Sequence, residues 1–348
     1  MWIPIWQSDF IAIIHIPQRT CNTNEFSFST NYLWLDFQGA NPEFNTFVQN
    51  ENFRLALQAA VNRASFGALR EPVDPQRLVR NTINAEGAIF NSQGVDYTQL
   101  APLADVTNAD YSADPEAARK YMEKAIAELC EADGTIKGIS AGTVDYLPVI
   151  KTDVDAKLPV TLIYVGTDDE SEIIMAQLFE AMIEQSIGTD YIDVVLAFDT
   201  SGDFYGTVGG SVDGPFNYDI YWDSLSTGYA DPSGILGRIG TEGVENVGAY
   251  NVPEFDALID KALEAKTFDE RLQYFAEAEA FLLKGAYMIP VISSLRGYHM
   301  SYEIPFTSPR CLYGNVRFKG LKVATEALTL DEYKILEAAW QANKDAQN

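Results

Sequence analysis

A chain of 348 residues with 47% hydrophobic content is long enough for one large or two ordinary globular domains, and its composition is not that of a disordered protein. A formal net charge of -26 argues against nucleic acid and against an anionic membrane surface, both of which recruit Lys and Arg. Such a charge fits solubility in an exposed setting, or a field that attracts cationic ligands.

The N-terminus, Met1 to Phe10, lacks a basic region and a small-residue cleavage site, so it is not a secretory signal. No apolar run approaches the ~18 residues of a membrane-spanning helix. Residues 1–30 are apolar and aromatic without a clear period. Asn31 to Phe37 reads as a strand and Gly39 to Phe44 as a turn. Phe53 to Arg63 predicts an amphipathic helix, with Arg54 and Arg63 expected in salt bridges on its surface.

Residues 71–110 are rich in turn formers and predict a loop with short elements. A helix then starts with Asp114 as its cap and Pro115 in its first position. Residues 133–159, punctuated by Gly and Pro, read as a connection.

Residues 160–225 predict an α/β unit. Val160–Val165 and Asp193–Phe198 are strands, and the helix between them implies parallel pairing. Thr167 with Glu170 suggests a capping box, and Ile173, Ile174, Gln177, Leu178, Ala181 and Met182 form the expected buried stripe. Asp168, Asp169, Glu170 and Glu172 fall in the first turn, where carboxylates favour the exposed N–H groups; that reading stands against a metal or acid/base site. Residues 199–217 are rich in Gly and Ser and read as a loop. Tyr218–Asp223 reads as a strand and Ser224–Pro232 as its outgoing loop.

The punctuation is clearest from Tyr250 to Pro290. Asn251 suits a cap, Pro253 sits in a first turn, and Phe255, Leu258, Ile259 and Ala262 make one apolar stripe. Thr267 and Glu270 form a second capping box, Gly285 a stop, and Tyr287–Ile292 a buried strand. Thr329 opens a final helix whose stripe, Leu330, Tyr333, Leu336, Ala339 and Trp340, wants a partner surface.

Chemical motifs are few. Cys21, Cys130 and Cys311 are widely spaced and read as small buried hydrophobes, and His15 and His299 are the only histidines, so no metal site is expected. P-loop and dinucleotide fingerprints are missing, and with two histidines unsupported by any motif an enzyme, such as a carboxylate-based hydrolase, has no visible basis. No cofactor is expected.

Several word orders nevertheless resemble one family. Asn246, Tyr250, Asn251, Glu254, Asp256, Leu258-Ile259, Ala262, Arg271, Glu277-Ala278-Glu279 and Ile289-Pro290 keep the offsets of family 5 extracytoplasmic solute-binding proteins, the oligopeptide and dipeptide receptors of ABC importers. Asn41-Pro42-Glu43-Phe44, the Arg54 to Arg63 helix and the Tyr111…Asp114-Pro115-Glu116 helix resemble the same family. The resemblance covers residues from about 31 to 323.

It implies an α/β fold of the periplasmic-binding-protein type II (cluster C). Residues 1–50 would be an N-terminal segment and hinge-crossing strand, 51–292 the second lobe, and 293–348 a segment returning to the first lobe. It also implies that the chain lacks the N-terminal part of a longer, leader-bearing protein, extracytoplasmic and either periplasmic or anchored at the cell surface. The expected function is capture of oligopeptides for the permease subunits of an importer. Another solute (a nickel complex, sugar or opine) on the same scaffold, or a scaffold fragment without a ligand, is the alternative.

Ligand contacts implied by the resemblance are Trp34, Trp222, Asp223, Ser224, Leu225, Ser226, Thr227, Gly228, Tyr229 and Asp231. Two positions depart from the family pattern: Leu225 replaces an aromatic residue, and Gly228 replaces the acid that pairs with a peptide ammonium group.

Overall fold

The structure is a computed structural model and describes residues 20–22, 28–39, 41–132, 134–139, 160–200, 218–226, 229–246, 250–294, 299–307 and 320–345. In chain order these form β1 (Thr20–Asn22), β2 (Ser29–Leu35), α1 (Pro42–Val48), α2 (Glu51–Ala60), α3 (Arg63–Arg70), α4 (Leu103–Thr107), α5 (Pro115–Leu129), β3 (Val160–Thr167), α6 (Glu170–Ile187), β4 (Ile192–Asp199), β5 (Ile220–Ser226), α7 (Pro253–Glu264), α8 (Phe268–Lys284), β6 (Met288–Ser293), β7 (His299–Ser301) and α9 (Leu330–Asp345). Met1–Phe10, His15, Cys311, Thr227, Gly228 and most of 133–159 and 199–217, all read above from the sequence, lie outside the described residues.

The main sheet has the order β4-β3-β5-β2-β6, while β1 and β7 pair separately. β3 runs parallel to β4 and β5, as the α/β pattern predicts, and β2 is antiparallel to both β5 and β6. Residues 30–35 of β2 are all buried, so both faces of this strand are core and its sequence lacks a polar alternation. Fully burying one of its large side chains contributes roughly 1.5–3 kcal/mol.

Where the expected turn lies after β2, Asn41 instead caps helix α1, accepting from the Glu43 and Phe44 N–H groups. A Pro in the next position extends rather than breaks it, because the first helical N–H needs no partner. The Phe53–Arg63 helix is in fact two, α2 and α3, parted by extended Val61 and the Asn62 cap.

Arg54 and Arg63 are not on a surface. Both are buried, and their guanidinium groups donate to carbonyls of Gly285, Val48 and Gln49 and of Pro290 and Tyr111 respectively. Val48, Gln49 and Gly285 lie at helix C-termini, Pro290 within β6 and Tyr111 in a loop, and a five-donor fork satisfies several carbonyls at once.

The α6 start is also corrected. Thr167 ends β3, and Asp169 occupies the cap position without a side-chain cap bond. The buried residues of α6 are Met175, Ala176, Phe179, Ile183 and Ile187, while Ile174 is exposed. This helix is apolar around much of its circumference, so periodicity alone could not choose its inner face.

In α7 the cap position is Val252, not Asn251, while Phe255, Ile259 and Ala262 are buried as expected. The Thr267–Glu270 capping box of α8 is present in full, with Gly285 at its C-cap. Asp114 caps α5. Cys130 is free and buried. The exposed side chains Leu330 and Ile335 belong to α9, and the Phe306 ring lies against Tyr333 and Trp340.

Candidate functional site

After β3 the chain passes through α6 to β4 on one side of β3, whereas β5 lies on the other side. The strand order therefore reverses between β3 and β5, and in open α/β sheets the crevice beyond the carboxyl ends at such a point receives ligands. Here β3 and β5 pair at Tyr164↔Ile220 and Val165↔Tyr221. Past Tyr221 the strand partner of β5 is β2, as far as Ser226. β3 meanwhile turns off into α6, and the divergence opens a crevice.

A pocket of about 310 Å³ occupies this place, lined by Asn31, Arg70, Thr167, Asp169, Glu172, Trp222, Asp223 and Ser224. Its size is at the low end for small-ligand sites and suits one residue of a larger ligand. Each wall follows from local structure. The pairs Asn31↔Ser224 and Leu33↔Trp222 put Asn31, Trp222 and Ser224 on one face of the sheet.

Trp222 is only 8% exposed and stacks on Phe66 of α3 at 5.1 Å between centroids. One turn further along α3, the Arg70 guanidinium lies 6.0 Å from the Trp222 ring centroid and its Nη1 donates to Asn31 Oδ1 at 3.0 Å. Ser294 Oγ donates to the same oxygen at 2.8 Å. Asp223 Oδ1 accepts from the Ser224 N–H at 2.7 Å.

The electrostatics are uneven. Burial pushes the Glu172 carboxyl above its ordinary value; Arg70 opposes this, and the nearby Asp169 and Asp223 charges reinforce it. Burial likewise lowers the Arg70 pKa, with Glu172 opposing. Among the described residues, no group of three or more His, Cys, Asp or Glu could hold a metal ion, and no helix is long and apolar enough to cross a membrane.

The residues singled out in the sequence divide. Trp222, Asp223 and Ser224 line the pocket. Trp34 does not: it is 1% exposed, on the β2 face opposite Asn31, and its ring is parallel to that of Tyr221 at 6.5 Å. Leu225 is partly buried against the core and its carbonyl accepts from Ser29 Oγ. Ser226 is exposed at the end of β5.

Thr227 and Gly228 lie outside the described residues. Tyr229 is exposed, with its hydroxyl 3.4 Å from Ser233 Oγ. Asp231 caps a short turn and takes a two-pronged ion pair from Arg271, at 2.7 and 3.1 Å.

Sequence reasoning passed over Asn31, Arg70 and Thr167 as site residues, and read Asp169 and Glu172 as helix-start carboxylates. Only the clustering of acids at one β–α junction carried a signal.

No family model matches the chain. It is 24% identical over 329 residues to the oligopeptide-binding protein AliB of Streptococcus pneumoniae, covering 86% of this chain and 48% of AliB. It is 25% identical over 336 residues to the oligopeptide-binding protein SarA of Streptococcus gordonii, with the same shares covered. The chain thus spans about half the length of the curated relatives it matches.

Among solved structures it superposes on peptide-bound OppA of Listeria monocytogenes with a TM-score of 0.61 at 17% identity, covering 91% of this chain and 52% of that one. The substrate-binding domain of an oligopeptide ABC transporter from Bacillus anthracis gives 0.62 at 16% identity, covering 88% and 54%. The fold is that of the peptide-binding receptors. The mixed sheet and its covering helices agree with the second lobe of a type II binding protein, the architecture implied by the sequence resemblance.

Proposed function

We propose that this chain is part of the substrate-binding component of an ABC-type importer and captures oligopeptides at the crevice between β3 and β5. The observation that carries the reading is the divergence of these strands beyond Val165 and Tyr221, which places a pocket against the end of β5 that no longer pairs with β3. An extended peptide lying along such an end gains main-chain hydrogen bonds while a side chain enters the pocket. The similarity to AliB and SarA supports peptide over other solutes.

In this reading residues 51–292 are most of one lobe, residues 1–50 include the crossing strand, and residues 293–348 return towards the other lobe. Closure of the two lobes over the peptide is a hinge motion. The loaded receptor works outside the cytoplasm and presents its cargo to permease subunits. It is a receptor rather than an enzyme.

Titration with oligopeptides, followed by tryptophan emission, tests this reading. A saturable change that is lost in Trp222→Phe is expected. Absence of saturable binding for every peptide tried contradicts it.

A further inference from the structure

The pocket is asymmetric in a way that specifies more than a peptide backbone. Two acids from the start of α6, Asp169 and Glu172, line it against a single guanidinium, Arg70, while Asp223 lines it from β5 with its side chain alternating to the sheet face opposite Trp222. Arg70 and Glu172 attract one another without closing to an ion pair among the described residues. Arg70 is instead tied to the Asn31 carbonyl oxygen. Carboxylates at a helix start are commonly explained by the helix dipole. That explains exposed Glu170, but not why Glu172 sits half-buried in a pocket beside an aromatic wall.

A second observation is independent of the acids. Asn31 is only 5% exposed and lines the pocket. Its Oδ1 is engaged by both Arg70 and Ser294, which sets the amide orientation. Its Nδ2 group has no hydrogen-bond partner among the described residues. That donor is accessible from the pocket, where a ligand oxygen can take the place of water.

We propose that this pocket is the subsite for a basic residue of the bound peptide: Asp169 and Glu172 face the ligand's ammonium or guanidinium group, Trp222 flanks its alkyl stem, and Asn31 Nδ2 donates to the adjoining peptide carbonyl. The inference rests on the peptide-binding reading above. A cation beside an aromatic face and carboxylates gains from both, and the pocket volume holds one long side chain. Arg70 keeps the donor end of the pocket from accepting the cation, which orients the residue.

The test is calorimetric titration of the full chain with hexa-alanine peptides in which one residue at a time is Lys, norleucine or Glu, each with a free or acetylated N-terminus. Lys at one position is expected to bind at least about tenfold more tightly than norleucine, and Glu more weakly than either. Acetylation leaves that Lys-over-norleucine ratio in place. In Glu172→Gln the ratio falls towards one, and Glu172→Asp restores part of it.

Peptides that bind without any Lys preference overturn the subsite and leave the peptide-binding reading standing. A preference that vanishes on N-acetylation assigns the pocket to the terminal ammonium and overturns the side-chain assignment. No binding by any peptide overturns both.

Discussion

Arg63 in the first turn of α3 donates through Nε to the carbonyl of Pro290 in β6, 2.8 Å away and 227 residues along the chain. Its Nη1 donates to the Tyr111 carbonyl at 2.9 Å, and the guanidinium lies 4.7 Å from the Tyr111 ring centroid. One buried side chain thus joins a helix start, a loop and an outer strand of the main sheet.

Arg63→Ala leaves buried carbonyls without donors, and the expected loss is about 3 kcal/mol of stability in urea unfolding. Arg63→Lys recovers little, because an ammonium point charge cannot span two carbonyls in the fork geometry. A loss below about 0.5 kcal/mol would show that the surface reading of this residue was right after all.

Asp36, just past β2, supplies a pH dependence. It is fully buried; its Oδ1 accepts from the Gln38 N–H at 2.9 Å and its Oδ2 has no partner among the described residues. Burial chiefly, and then the nearby Asp219 charge, push its carboxyl up to about 8, against the pull of the Gln38 and Gly39 N–H groups. The folded value lies above the unfolded one, so folding takes up a proton. The neutral acid's contribution is complete below about pH 4 and is lost as pH rises through about 8. Asp36→Asn is expected to be the more stable form by several kcal/mol near pH 8.5 and to lose that advantage near pH 4, as read by urea unfolding at both.

Much of the fold was legible because its signals are local. The Thr267–Glu270 box, the Asp114-Pro115 start and the buried run of β6 each depend on neighbours in sequence. Arg54, Arg63 and the inner face of α6 were misread because their surroundings are made by segments far away. The site was legible only on β5, where Trp222, Asp223 and Ser224 are contiguous. Asn31, Arg70 and Glu172 join them through the reversal of strand order between β3 and β5, a property of topology that no local pattern carries.

Asp231 is held in a structural clamp. Burial alone would raise its carboxyl, but Arg271 and the Ser233 hydroxyl and N–H outweigh that and hold it below the usual value. The depressed value means its stabilisation is present above the unfolded carboxylate range and is lost as pH falls through the folded value. Asp231→Asn is expected to cost about 2 kcal/mol at neutral pH, with the difference from the parent shrinking towards pH ~3. Equal urea midpoints at neutral pH would remove Asp231 from the stability of the fold.

Trp222 serves the fold as well as the pocket through its stack on Phe66. Trp222→Ala is expected to lower stability by about 3 kcal/mol, and Trp222→Phe by less than half of that, since a smaller ring keeps the stacked contact. Thermal unfolding of the two variants side by side separates this from any effect on ligand affinity.

The central claim, that the crevice between β3 and β5 holds peptide, is tested most directly by native mass spectrometry of the chain as purified. The account predicts a heterogeneous set of adducts that release short peptides on collisional activation and that are depleted in Trp222→Ala. A bare chain that also takes up no added oligopeptide would contradict it.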